Sequence, residues 1–152
     1  MNEGQPVTIT LYVSAADLHN LNPQPTRGQQ AELDAYCILG DNNDLSRGKP
    51  DPGGDLNTFT SQIYSGKDVT WIGQNIKNDG YRVLIDEISS DAPFFPRNPL
   101  TGNGGRVVGK PKEGINNTID TYTIKFYIDP PGGQPQSGPY HLDPKLGGND
   151  DE

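Results

Sequence analysis

The stretch Asp68–Ser89, DVTWIGQNIKNDGYRVLIDEIS, decides how this chain is read. Its first part sets Val69 and Trp71 on one side and Thr70 on the other, the two-residue period of a half-buried strand. Its last part runs Val83, Leu84 and Ile85 in succession, so both faces of that segment need cover. Between them, Asn78-Asp79-Gly80 is turn chemistry, because glycine accepts positive φ and Asn or Asp tolerates it. The segment reads as a hairpin-like pair of strands. It carries the single tryptophan, Trp71, beside the densest aliphatic run, which makes it the expected centre of the core.

Two further stretches share the strand period. In VTITLYV, Val7, Ile9, Leu11 and Val13 alternate with Thr8, Thr10 and Tyr12. In TYTIKFYI, Tyr122, Ile124, Phe126 and Ile128 alternate with Thr121, Thr123, Lys125 and Tyr127. Ala35–Leu39 (AYCIL) fits a short strand buried on both sides, with Cys37 as a small hydrophobe. Leu56–Tyr64 is a weaker strand with Phe59, Ser61 and Ile63 on one face; Arg106–Val108 and Pro139–Leu142 complete the set. Ser14 is placed to cap a helical turn over AADLHN.

The connections are rich in proline, glycine and amides. They cover Asn20–Gln30, Gly40–Gly54, Ser90–Gly105 and Asp129–Gly138. Phe94-Phe95, held between Pro93 and Pro96, is expected to fold back as a plug over one end of the core, since soluble monomers rarely expose such a pair. The expected architecture is all-β: a single-domain antiparallel β-sandwich, jelly-roll or Ig/cupredoxin-like, of about seven or eight strands with long loops. It would span residues 1–146, with 147–152 as a solvated acidic tail.

Composition agrees. Leu, Ile, Val and Phe number 32 of 152 residues, a lean core, whereas 19 glycines and 14 prolines point to many turns. The net charge of −8 argues against nucleic acid and against anionic membrane surfaces, both of which reward clustered Lys and Arg. One cysteine permits no internal disulfide. MNEGQPVTITLYV has neither the basic region nor the apolar region of a secretory signal, so a soluble cytoplasmic protein is expected. The partners left open are a second copy of the chain and an unspecified small molecule or glycan.

Signatures of chemistry are scarce. GGRVVGKP at Gly104–Pro111 has the G-x-x-x-x-G-K spacing, but Pro111 stands where a phosphate loop needs Ser or Thr, and no helix pattern follows. His19 and His141 lie far apart in polar settings and read as surface residues. Cys37 lacks a CxxC partner, and with Met1 as the sole methionine a blue-copper site is rejected. Asn116-Asn117-Thr118 is a glycosylation sequon with little meaning in a chain read as cytoplasmic.

The acidic loop offers Asp41, Asp44, Asp51 and Asp55 as candidate Ca²⁺ ligands, with Trp71 or Tyr81 as a stacking surface for a glycan. The spacing is not that of an EF-hand, because Leu45 and Ser46 fall where a ligand and a glycine are needed. A solvated acidic turn is the plainer reading. No catalytic residue and no cofactor are assigned, and a non-enzymatic protein acting by binding or self-association is the expected function.

Taken together, VTITLYV, AYCIL, GGDLNTF, SGKDVTWIG, RVLIDEI, TYTIKFYI and YHLDPKL, in this order from Val7 to Leu146, resemble the bacterial inclusion-body protein family of the PixA/AidA type. The resemblance implies a compact antiparallel β-sandwich or jelly roll. It also implies an abundant, non-enzymatic cytoplasmic protein prone to self-association, and it supplies no catalytic residues.

Overall fold

The alternation in VTITLYV becomes strand β1 (Val7–Val13), whose Val7, Ile9, Leu11 and Val13 are each at most 1% exposed. In the computed structural model, which describes residues 6–21, 36–41, 60–90 and 94–149, β1 leads into the short helix α1 (Ala15–His19). Ser14 starts that helix through its carbonyl, which accepts from the Leu18 N–H at 3.0 Å; its hydroxyl makes no capping bond. There follow β2 (Cys37–Asp41), β3 (Thr60–Tyr64), β4 (Val69–Asn75), β5 (Arg82–Ser90), β6 (Leu100–Thr101), β7 (Arg106–Gly109), β8 (Ile119–Asp129), β9 (Ser137–Leu142) and β10 (Lys145–Asn149). Phe59 and Ala35, expected in strands, lie outside the described residues.

The strands form two sheets. One has the order β2-β1-β4-β7, the other β3-β10-β8-β5-β6, with β9 also paired to β8. The inward faces meet in one core, to which β8 contributes Tyr122, Ile124, Phe126 and Ile128, all at most 1% exposed. Each such side chain stabilises the fold by roughly 1.5–3 kcal/mol relative to exposure. Trp71 from the first sheet and Tyr122 from the second pack with ring centroids 5.9 Å apart. Phe95 meets Trp71 edge-on at 5.8 Å and Phe94 is fully buried, so the phenylalanine pair does plug the core.

The all-β sandwich expectation holds, with ten strands among the described residues instead of the expected seven or eight, and with three further corrections. The first concerns strand direction. Both sheets are mixed: β1 runs parallel to β4, with Val7 opposite Val69, and β10 runs parallel to β3. Parallel neighbours need a long crossover rather than a tight turn. Here the chain passes through α1, β2 and β3 before β4 returns to β1.

The second correction concerns Asp68–Ser89, which is not a hairpin. β4 pairs with β1 and β7, whereas β5 pairs with β8 and β6. The predicted turn is present, with Gly80 at φ +85°, but it carries the chain from one sheet to the other as an arch. Asn75 braces it, its amide donating to the Tyr81 carbonyl at 3.2 Å and to the Asp79 carboxylate. At the crossing the backbones come so close that a Cβ on Gly73 would stand 2.6 Å from the Val83 carbonyl oxygen. β6 and β7 cross in the opposite direction through Asn103–Arg106. There Gly104 and Gly105, at φ +65° and +88°, supply the two left-handed positions of a tight turn.

The third correction concerns the tail. Gly147–Asn149 belong to β10, and Gly147 and Gly148 are buried. Asn149 donates to the Gln62 side chain at 2.9 Å and to the Ile63 carbonyl at 3.1 Å, while its own carbonyl accepts from the Ser65 N–H at 2.8 Å. Residues 150–152 lie outside the described residues. The acidic letters around Gly147–Asn149 suggested solvent, but backbone pairing with β3 decides the matter.

Candidate functional site

The structure scatters the residues that the sequence proposed. Asp41 ends β2 opposite Ile9, in the same phase as the buried Cys37 and Leu39, and borders a shallow cleft of about 260 Å³ with Thr8, Thr10, Tyr12 and Gly40. Asp44, Asp51 and Asp55 lie outside the described residues. Among the described residues, no group of three or more His, Cys, Asp or Glu side chains is placed to hold a metal ion. Trp71 is fully buried, so it cannot serve as a stacking platform for a glycan. Its ring belongs to the core because β4 carries it on the inward face between Val69 and Gly73.

The histidines take structural positions. His19, at the end of α1, lies 2.7 Å from the Ser137 hydroxyl through Nδ1 and meets the Tyr81 ring at 5.7 Å. This joins the helix to β9 and to the arch. His141 stands opposite Lys125 on β9. Neither histidine lines any of the cavities described here. Cys37 is a buried thiol outside any disulfide, packed in the core, as its apolar setting predicted.

The arch between β4 and β5 creates what the sequence did not reveal. Because β5 leaves the plane of the first sheet, a groove opens between the two strands, and the Gly104–Gly105 turn borders it. One part of it is a cavity of about 360 Å³ walled by Ile72 and Gln74 of β4, Arg82 and Leu84 of β5, and Arg106 of β7. Two adjoining hollows, of about 290 and 600 Å³, extend it toward Asp86 and Tyr127 on one side and toward Lys77 and Gly80 on the other. Arg82 borders all three. The hollows of about 290 and 360 Å³ fall at the lower end of small-molecule sites and the one of about 600 Å³ near the middle.

The balance of charge lining the groove, Lys77, Arg82 and Arg106 against Asp86, is opposite to that of the chain. Lys77 pairs with Asp17 at 3.5 Å, Arg82 with Asp129 at 3.9 Å, and Asp86 with Lys125 at 3.6 Å, all at exposed or half-exposed positions. Arg106 has no ion pair among the described residues. A separate hollow of about 300 Å³ is lined by Ser89, Asn98, Asp120, Thr123 and Asp143. Its groups satisfy one another: Thr123 donates to Asp143 at 2.7 Å, and the Asn98 amide exchanges two bonds with the Ser90 backbone. Sequence reasoning missed the Arg82–Arg106 pairing because nothing local links residues on strands of two different sheets.

No protein-family model matches the chain, and no curated protein matches it in sequence. Among solved structures, the chain is similar to the crystal structure of the inclusion body protein PixA from Burkholderia cenocepacia J2315, with a TM-score of 0.63. The two are 13% identical, and the match covers 97% of each chain. A likeness at this identity is one of fold. The resemblance read from VTITLYV through YHLDPKL is met at that level, and the chain has the fold of the PixA-type inclusion body protein.

Proposed function

We propose that the protein acts without catalysis, by binding or by association with further copies of itself. What supports this reading is the shared fold along nearly the whole of both chains with a protein described as an inclusion body protein. Self-association fits that description, and a cytoplasmic location is part of the same proposal. Among the described residues, the exposed large apolar side chains are Ile76 in the turn after β4, Val108 of β7 and Ile119 of β8, so the reading rests on the fold rather than on one greasy patch.

Sedimentation velocity over a hundredfold range of protein concentration tests the proposal. A weight-average sedimentation coefficient that climbs with concentration is the expected outcome. A single monomeric species throughout, together with turnover abolished by one polar substitution, would remove it.

A further inference from the structure

We propose that the groove beside the β4–β5 arch is a binding site for a small oxyanion, a carboxylate or a phosphate borne by a small molecule, held between Arg82 and Arg106. The inference rests on charge and shape. The chain has 20 acidic and 12 basic residues, yet the wall of the cavity that Arg82 and Arg106 share carries two arginines and no carboxylate, the one acid nearby, Asp86, lining the adjoining hollow. Arginine presents a planar fork of N–H donors that matches carboxylate and phosphate oxygens two at a time. Arg106 has no ion pair among the described residues, so its fork is not committed to a protein carboxylate. Among the described residues, Arg82 has one ion pair, to Asp129 at 3.9 Å, with the arginine itself exposed, a contact worth little that an incoming anion can replace. Ile72 and Leu84 flank the arginines and give the body of the ligand an apolar wall.

The two arginines come from strands of different sheets. Arg106 sits opposite Ile72 in the β7–β4 pairing, and Arg82 opposite Asp129 in the β5–β8 pairing. The arch brings them to one cavity, and Gly104–Gly105 keeps the intervening turn free of side chains. The site is independent of self-association and stands or falls by its own test.

Isothermal titration of the full chain with inorganic phosphate, and separately with succinate, at constant ionic strength tests it. Saturable binding of at least one probe is expected, and the arm that responds identifies phosphate or carboxylate as the group recognised. Arg106→Gln should weaken that binding at least tenfold, and Arg82→Gln likewise. Lys110→Gln, which removes an exposed cation that instead neighbours Asp68, should leave it unchanged. Absence of saturable binding to both probes overturns the proposal. So does binding that survives Arg106→Gln, or that Lys110→Gln weakens equally. Arg82 and Arg106 are both exposed, so neither variant should prevent folding, and matching circular dichroism spectra verify that.

Discussion

The Trp71 indole N–H donates to the Tyr122 hydroxyl at 3.1 Å, joining the two sheets through the middle of the core. Both side chains are at most 1% exposed, so neither polar group has water as an alternative partner. Removing the hydroxyl by Tyr122→Phe leaves a buried N–H unsatisfied while preserving the ring packing. The expected loss is about 1–3 kcal/mol of unfolding free energy, read by urea denaturation at neutral pH. A change below about 0.5 kcal/mol would show that the bond contributes nothing net.

The same hydroxyl makes the fold sensitive to alkali. Burial pushes the Tyr122 phenol well above its ordinary value of 10.0, although the bond from Trp71 pulls the other way. Burial also raises Tyr140, against the lowering effect of its bond with Ser137. A folded value above the unfolded one means that the contribution is complete below about pH 10 and is lost as pH rises beyond it. The unfolded chain then releases phenol protons that the folded chain retains. Urea midpoints should fall between about pH 9 and pH 11, less steeply in Tyr122→Phe than in the wild type. Equal slopes in the two proteins would count against the buried phenol as the cause.

Gly147–Asn149 form a working strand, so shortening the chain has a cost. Asn149→Ala removes the side-chain bonds to Gln62 and Ile63 and should lower stability by about 1–2 kcal/mol. Deleting 147–152 also removes the bond from Gly148 to the Thr118 carbonyl at 2.7 Å and the pairing of Gly147, Gly148 and Asn149 with β3. That deletion should cost more than Asn149→Ala, as a lower melting temperature. An unchanged melting temperature would restore the reading of 147–152 as a free tail.

Two glycines in strands should respond in opposite ways to alanine. A Cβ on Gly148 would lie 2.3 Å from the Ile115 carbonyl oxygen, so Gly148→Ala forces the backbone to move and should destabilise by about 1–3 kcal/mol. A Cβ on Gly40 would lie 3.7 Å from the Tyr12 ring, an ordinary contact, so Gly40→Ala should be neutral or slightly stabilising. Paired thermal melts read both. Equal effects would mean that close approach does not govern these positions.

These positions also mark what the sequence made legible. VTITLYV and TYTIKFYI announced their buried faces because alternation is a local property of the chain. The Phe94-Phe95 plug was visible because two adjacent phenylalanines between prolines have few places to go. Pairing partners were not visible, because they are chosen by residues far apart. Asn78-Asp79-Gly80 indicates a turn equally well whether the strands it joins share a sheet or part from each other. Only Gly73, with room for the Val83 backbone, hinted at a crossing. β10 was hidden by its composition: its glycines are there for close approach to Ile115 and Gln62, and in sequence they look like a linker. The Arg82–Arg106 groove depends on both crossings, so it was out of reach until they were known.

Nuclear Overhauser contacts between backbone protons test the central claim, that Val69–Asn75 and Arg82–Ser90 belong to different sheets, most directly. The account predicts parallel cross-strand contacts placing Ile9 beside Trp71 and antiparallel contacts placing Ile85 beside Phe126. A continuous antiparallel ladder between Val69–Asn75 and Arg82–Ser90 would contradict it.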